Sequence, residues 1–437
     1  MRITVIGCGY LGAVHAACMA ELGHEVLGID VDAAKIELLS AGRAPFYEPG
    51  LPELLTSASA TGRLSFTTDI SRAAGYDAHF IAVGTPQKKG EHAADLTYVD
   101  AAVTSLAPHL APGSVVIGKS TVPVGTARRL AGIIAGVQPE AALAWNPEFL
   151  REGFAVQDTL RPDRLVYGLP DGDAADHAKT TLDEIYTVAL GNDTPLVVTG
   201  YETAELVKVS ANAFLATKIS FINAIAEIAD VTGADVTKIA DAIGYDARIG
   251  RKFLNAGLGF GGGCLPKDIR AFQARAGELG ADQALTFLRE VDQINMRRRV
   301  RAVDLTRELL DGSLLGKKVA VLGLAFKPES DDVRDSPSLD VASQLRAQGA
   351  RVVAFDPQAV ENARRLHPEL DFAESAADAA RDADAVVILT EWREFRDLDP
   401  AEFGQIVADK RILDGRNCLD PDTWRAAGWR YRALGRP

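Results

Sequence analysis

The sequence predicts an α/β protein in which two domains of alternating strands and helices are joined by a central helical segment with one long helix. Three observations predict it. Short apolar runs alternate with helical stretches from Met1 to about Thr199. From Thr203 to about Val303 the strand pattern is absent, and apolar residues recur at helical spacing. From Lys317 the short apolar runs return. Strand–helix alternation builds a mostly parallel sheet with helices on both faces. Two α/β domains, residues 1–199 and 304–437, therefore flank a helical domain of residues 200–303.

The first element is the strand Met1-Arg2-Ile3-Thr4-Val5-Ile6, followed at once by Gly7-Cys8-Gly9-Tyr10-Leu11-Gly12. A helix pattern runs from Ala13 to about Leu22 and closes at Gly23. The next apolar run, Glu25-Val26-Leu27-Gly28-Ile29, ends in Asp30, eighteen residues after Gly12. Strand, glycines, helix, strand and acid together form the dinucleotide fingerprint. The glycines permit a tight turn and the approach of a pyrophosphate to the helix N-terminus. A carboxylate at Asp30 binds both ribose hydroxyls and repels a 2′-phosphate, so NAD is expected rather than NADP. Further runs lead into Gly84-Thr85-Pro86 and into Lys119-Ser120-Thr121-Val122-Pro123. Loops after strand C-termini are where an open α/β sheet binds ligands. Asn146-Pro147-Glu148-Phe149-Leu150-Arg151-Glu152 is another irregular segment after a strand, with two carboxylates that alone would pass for loop residues.

In the middle segment, Ala204, Val207, Ala211, Phe214, Ile219, Ile222 and Ile225 mark the apolar face of the long helix. Lys208 and Asn212 stand four apart on it, hence on one face, among Leu206, Val207, Val209 and Phe214. A solvated pair is one reading; a pair of donors to a developing alkoxide is the other. The helical text is interrupted by Gly259-Phe260-Gly261-Gly262-Gly263-Cys264-Leu265-Pro266-Lys267-Asp268. Four glycines bring the backbone close to something and hold a thiol beside it. Pro266 suits a first helical turn, which puts Cys264 at a helix N-terminus, where the thiolate is favoured. Asp268 lies one turn further on the same face. A buried cysteine in a glycine turn is the structural alternative; the glycines, helix start and carboxylate together favour a nucleophile.

In the last third, Lys317–Gly323, Arg351–Asp356 and Ala385–Thr390 read as strands. This half has no GxGxxG, so it is expected to bind something other than the dinucleotide.

Composition excludes several classes. A net charge of −13 argues against nucleic acid as a partner, though not against an anionic small molecule held by a local cation cluster. The four cysteines are far apart, which favours neither a disulfide framework nor zinc, and the seven histidines show no metal-ligand spacing. No metal is expected. The opening segment carries His15, Glu21 and three glycines, with no small-residue cleavage site, so it does not read as a signal peptide. No run approaches the eighteen or so apolar residues of a membrane span. A cytoplasmic enzyme is expected, with no membrane partner.

The motifs carry a family resemblance over essentially the whole chain. GCGYLG at Gly7, VGTP at Val83, STVPVGT at Ser120, NPEFLREG at Asn146, ELVKVSANAFLA at Glu205 and GFGGGCLPKD at Gly259 resemble the nucleotide-sugar 6-dehydrogenases, the UDP-glucose/GDP-mannose dehydrogenase family. GLAFKPESDDVRDSP at Gly323 and DGRN at Asp414 resemble them too. The resemblance implies a four-electron, two-NAD oxidation of a sugar C6 alcohol to an acid, with UDP-glucose the substrate most like the pattern and TDP-glucose, GDP-mannose or UDP-N-acetylmannosamine the alternatives. It implies that the nucleotide sugar is held between the two Rossmann-like domains. It implies a thiohemiacetal and then a thioester on Cys264, with Lys208 and Asn212 stabilising oxyanions, Asp268 and Thr121 holding the catalytic water, and Glu148 as acid/base. By the same resemblance Gly7, Gly9, Tyr10, Leu11, Gly12, Asp30, Lys35, Thr85, Thr121, Glu152 and Arg334 fall at NAD positions. Glu148, Phe149, Leu150, Lys208, Asn212, Phe253, Asn255, Gly257, Gly261, Lys327 and Arg416 fall at substrate positions. Arg248 resembles an arginine that reaches the substrate from a neighbouring subunit, which implies at least a homodimer. Two readings from other classes compete: a two-electron alcohol or hydroxy-acid dehydrogenase, and a non-catalytic NAD-binding protein. The first leaves Cys264 and the last domain without a role; the second leaves Lys208, Asn212 and Asp268 without one.

Overall fold

The computed structural model describes Met1–Pro437 and divides into two compact units: 1–211 with 270–280, and 212–269 with 281–437. The first unit holds an eight-stranded sheet. Its strands are β1 (Arg2–Ile6), β2 (Glu25–Ile29), β3 (Leu64–Thr67), β4 (Ala78–Ile81), β5 (Val115–Gly118), β6 (Ala142–Trp145), β7 (Leu165–Leu169) and β8 (Leu196–Gly200). Their order is β3-β2-β1-β4-β5-β6-β7-β8. All pairs are parallel except β6–β7, which meet antiparallel at Trp145 and Gly168. The first six strands have the doubly wound order, whose reversal between β1 and β4 opens a crevice at the strand C-termini. Strands β1 and β4 to β7 are apolar nearly throughout because helices cover both faces.

Helix α1 (Tyr10–Glu21) starts three residues before the position its apolar pattern predicted. The glycine loop is so tight that the helix begins inside it. A Cβ on Gly12 would overlap the Gly7 carbonyl oxygen, and Gly7 itself has φ +91°.

The second unit repeats the plan with six strands: β9 (Lys318–Leu322), β10 (Arg351–Phe355), β11 (Asp371–Phe372), β12 (Ala385–Ile388), β13 (Arg411–Asp414) and β14 (Arg430–Ala433). Their order, β11-β10-β9-β12-β13-β14, matches the first six strands of the other sheet, and every pair is parallel. Gly323 stands where Gly7 does: its N–H donates to Phe355 O at 2.8 Å, as Gly7 N–H does to Ile29 O at 2.8 Å.

The long helix, α2 (Tyr201–Thr232), spans 32 residues. It corrects two expectations. Phe214, assigned to its apolar face, is 66 % exposed, because the buried side follows Ala213, Ala216, Ser220, Ile222, Asn223 and Ala226. An 18-residue window also has mean hydropathy 1.3, so by length and composition this helix could cross a membrane, where none was expected. Its buried polar groups nevertheless match protein partners: Ser220 Oγ donates to Val291 O at 2.7 Å and Asn223 Oδ1 accepts from Gly257 N at 2.9 Å. Helix α3 (Leu265–Glu278) follows the cysteine loop, and α4 (Phe287–Leu309) leads toward the second sheet.

Candidate active site

In the first unit, the loop after β1 enters α1 at Gly9, which has no side-chain cap; no acidic residue occupies the first turn. A Cβ on Gly9 would meet nothing within 4 Å. The helix N-terminus thus presents unmatched amides to open space, the arrangement that takes a phosphate group. Asp30 closes β2 with Oδ2 accepting from Cys8 N and from Lys35 Nζ, both at 2.8 Å, and Oδ1 accepting from Asp32 N at 3.0 Å. Thr85 Oγ1 donates to Thr121 O at 2.7 Å, so the loops after β4 and β5 are tied together at the same sheet edge. These residues fit an NAD molecule.

The Asn146–Gly153 loop is held from several sides. Tyr10 donates to Glu48, whose two oxygens accept Gly153 N at 2.6 Å and Ala155 N at 2.7 Å. The fingerprint tyrosine therefore ties the start of α1 to the loop that bears Glu152. Glu148 turns inward: Oε1 accepts from Phe149 N at 2.7 Å and Leu150 N at 3.0 Å, and Oε2 pairs with Lys119 at 3.0 Å. Lys208 Nζ lies 5.5 Å from the Phe149 ring centroid and Arg164 lies 3.8 Å from it, so two cations share contact with this ring. Glu205, also on α2, accepts Gly125 N and Ala127 N at 2.7 Å each and fixes the loop that carries Thr121.

In the second unit, Cys264 is exposed and directly precedes α3. Asp268 N–H donates to Cys264 O at 2.9 Å, the first helical bond. The Asp268 carboxylate is buried and shared: Oδ2 accepts Asn212 Nδ2 at 2.6 Å and Oδ1 takes Lys267 Nζ at 2.5 Å. Asn212 and Asp268 thus meet within this unit, as do the loop glycines and Arg334. Gly262 N–H donates to Arg334 O at 2.9 Å, and a Cβ on Gly263 would overlap the Arg334 guanidinium. That guanidinium forks onto Asp332 through Nε at 2.9 Å and Nη2 at 2.7 Å.

Residues 253–261 form an irregular segment clamped from several sides. Phe253 has φ +65°, which a bulky side chain rarely adopts. Asn255 accepts from Arg251 at 2.8 Å. Gly257 donates to Asn223 and accepts from Arg298 Nε at 3.2 Å. The buried amide of Asn295 bonds Phe260 N–H and C=O at 2.8 and 2.9 Å, as a neighbouring strand would. Arg416 serves three carbonyls, Leu389 at 2.7 Å, Gly259 at 2.9 Å and Phe326 at 3.1 Å, so it staples this segment to two loops. Lys327 Nζ lies 5.4 Å from the Phe326 ring centroid. Arg248 is exposed and forked onto Asp246 of its own chain.

Sequence reasoning missed Glu48, Glu205, Asn223, Asn295 and Arg298. Each is a polar residue whose partner is a distant backbone group, and nothing in its own neighbourhood marks it as buried. It also missed Asp356, at the end of β10 where Asp30 ends β2. Asp356 accepts from Leu324 N, Ala325 N and Trp392 Nε1 through Oδ2, and from Gln358 N and Ala359 N through Oδ1, at 2.7–3.1 Å.

Residues 1–190 match the NAD binding domain of the UDP-glucose/GDP-mannose dehydrogenase family, 202–297 its central domain and 320–421 its UDP binding domain. The chain belongs to this family, and its cofactor is NAD. It is 44 % identical over 440 residues to a UDP-glucose 6-dehydrogenase of Rhizobium meliloti strain 1021, covering 100 % of both chains. A UDP-glucose dehydrogenase structure from Pyrobaculum islandicum matches with TM-score 0.91 at 40 % identity, covering 100 % of this chain and 98 % of that one. A UDP-D-ManNAc dehydrogenase structure from Pyrococcus horikoshii matches with TM-score 0.87 at 28 % identity, covering 100 % and 99 %.

Proposed function

We propose that this chain oxidises UDP-glucose to UDP-glucuronate as a UDP-glucose 6-dehydrogenase. The observation that carries the reading is the exposed Cys264 at the N-terminus of α3, with the buried Asp268–Asn212 pair one turn inward. The 44 % identity to a UDP-glucose 6-dehydrogenase along the whole chain supports the choice of sugar. NAD supplies the hydride acceptor for both oxidations. Tyr10, Leu11 and Gly12 offer it backbone amides, and Gly7 and Gly9 let its pyrophosphate come close; Asp30 and Lys35 take its ribose; and Thr85, Thr121, Glu152 and Arg334 complete its site. Glu148 takes the proton of the C6 hydroxyl. The Cys264 thiolate, favoured by the helix N-terminus, adds to the aldehyde carbon, and the resulting thiohemiacetal is oxidised to a thioester. Lys208 and Asn212 donate to the oxyanion at each stage. Asp268 and Thr121 hold the water that releases the acid. Phe149, Leu150, Phe253, Asn255, Gly257, Gly261, Lys327 and Arg416 bind the nucleotide sugar, the two cations matching its diphosphate.

In this reading residues 1–199 bind NAD, 200–303 carry the cysteine and 304–437 bind the nucleotide. The enzyme works in the cytoplasm as a homodimer in which Arg248 serves the neighbouring subunit. Its exposure, and that of Phe214, Phe221 and Ile228 at seven-residue spacing on α2, support the dimer. The test is stoichiometric: UDP-glucose, TDP-glucose, GDP-mannose and UDP-N-acetylmannosamine are each supplied with NAD, and NADH is counted. Two NADH per UDP-glucose are expected. One per substrate would identify a two-electron dehydrogenase, and none with any sugar a binding protein.

A further inference from the structure

Lys119 is a buried cation that the reaction above does not use. It follows β5 directly, and its side chain is 4 % exposed. An ammonium has three N–H donors, and this one has three acceptors: Glu148 Oε2 at 3.0 Å, Asn146 Oδ1 at 3.0 Å and Tyr186 Oη at 3.2 Å. The acceptors are themselves fixed. Tyr186 Oη donates to Asn146 Oδ1 at 2.6 Å, and Asn146 Nδ2 donates to Val166 O at 3.0 Å. Burial pushes the lysine pKa down, but Glu148 and Tyr186 outweigh it, and the net shift is upward, so the ammonium stays charged. His15, packed edge-on against Phe80, is driven well below its usual value by burial and adds no second charge.

Burying an ammonium is expensive, and apolar residues commonly fill such a space at no loss of stability. The compensating role is visible in what the ammonium faces. Glu148 receives three donors, two loop amides on one oxygen and Lys119 on the other, which leaves its carboxylate a single orientation. We propose that Lys119 is a positioning residue that aims the Glu148 carboxylate for proton transfer with the sugar hydroxyl. The proposal rests on the reading of Glu148 as the acid/base residue.

A double-mutant cycle tests it, with kcat, both KM values and NADH affinity measured for Lys119→Met, Glu148→Gln and the double variant. Lys119→Met should lower kcat by about a hundredfold, the cost of misaiming a reacting group by roughly 1 Å. KM values and NADH affinity should stay within about twofold, with kcat expressed per NADH-binding site titrated in each preparation, so that a smaller folded fraction does not pass for a slower enzyme. In the Glu148→Gln background the same change should lower kcat by less than about twofold, because the group it aims is gone. Should Lys119→Met fail to fold, with Glu148 left buried and unpaired, the double variant removes both charges, and its kcat against that of Glu148→Gln shows whether Lys119 acts on anything besides Glu148. A further tenfold loss in the double variant would overturn the proposal. So would an unchanged kcat in Lys119→Met when Glu148→Gln is impaired. Full activity in Glu148→Gln would instead remove the acid/base reading, and the proposal with it.

Discussion

Asp30 meets Cys8 N, Lys35 and Asp32 N at once, so its charge is fixed at the end of β2 beside the glycine loop. A 2′-phosphate brought there faces a carboxylate that has no freedom to swing away. One unfavourable charge contact worth more than about 1.4 kcal/mol is a factor of ten, so kcat/KM for NAD should exceed that for NADP at least about tenfold. Steady-state assays with both cofactors check this, and Asp30→Ser should narrow the ratio. Cys264 offers a sharper test. Cys264→Ser keeps a nucleophile of similar size but forms an ester, which hydrolyses far more slowly than a thioester. After mixing with NAD and UDP-glucose, intact-protein mass spectrometry should find a sugar-nucleotide adduct, with about two NADH released per active site, one for each oxidation that leads to the ester. Cys264→Ala should form no adduct, because it cannot capture the aldehyde; multiple turnover by that variant would remove the thiol from the mechanism.

The glycine turn between β1 and α1 behaves as a unit whose two later glycines answer to different demands. Gly12 lies against the Gly7 carbonyl, so Gly12→Ala should distort the turn itself and lower both the melting temperature and NAD affinity. Gly9 borders open space, so Gly9→Ala should leave the melting temperature within about 2 °C while weakening NAD by tenfold or more, since its methyl group stands where the pyrophosphate approaches. Calorimetry and cofactor titration separate the two. This element was legible because its signals are local: apolar strand, fixed glycine spacing, helix, acid. The same holds for β2, β4, β5, β9, β10 and β12. Strand β11 has two residues and β14 alternates charge with apolar side chains, and neither offers a run that stands out. Cys264 and Asp268 were legible from the loop between them. Glu48 and Asn295 were not, because their partners lie 105 and 35 residues away and burial leaves no mark on the residue itself.

Across the whole molecule, acid sensitivity should come in part from buried imidazoles in the first unit. Burial pushes His79 down to about 4, with the Tyr76 backbone and Asp77 offsetting only part of the shift. Between about pH 6.5 and 4 the unfolded chain holds a proton at this residue that the folded chain does not. Stability therefore rises with pH through that window and is lost as pH falls. For a shift of this size the linkage amounts to roughly 3 kcal/mol. His15 is shifted in the same direction by burial and adds to the slope. Melting temperature should fall on acidification from pH 6.5 to 4.5, and His79→Leu should flatten the fall. A variant with an unchanged pH slope would exclude His79 as the cause.

The two sheets share a strand order, and Asp30 and Asp356 each accept an amide of the preceding loop, but Asp356 takes a second one. Asp356 has folded the loop after β9 onto itself, and the amides of Leu324 and Ala325 already donate to it. Inhibitor chemistry follows from this. An adenosine-diphosphate scaffold would engage only the open turn of the first sheet, a turn common to dinucleotide enzymes, and would discriminate poorly among them. A compound directed at the second sheet meets a closed loop and must gain its affinity from side chains such as Lys327 and Arg416 rather than from loop amides, so selectivity against other dinucleotide enzymes is more readily designed into that half.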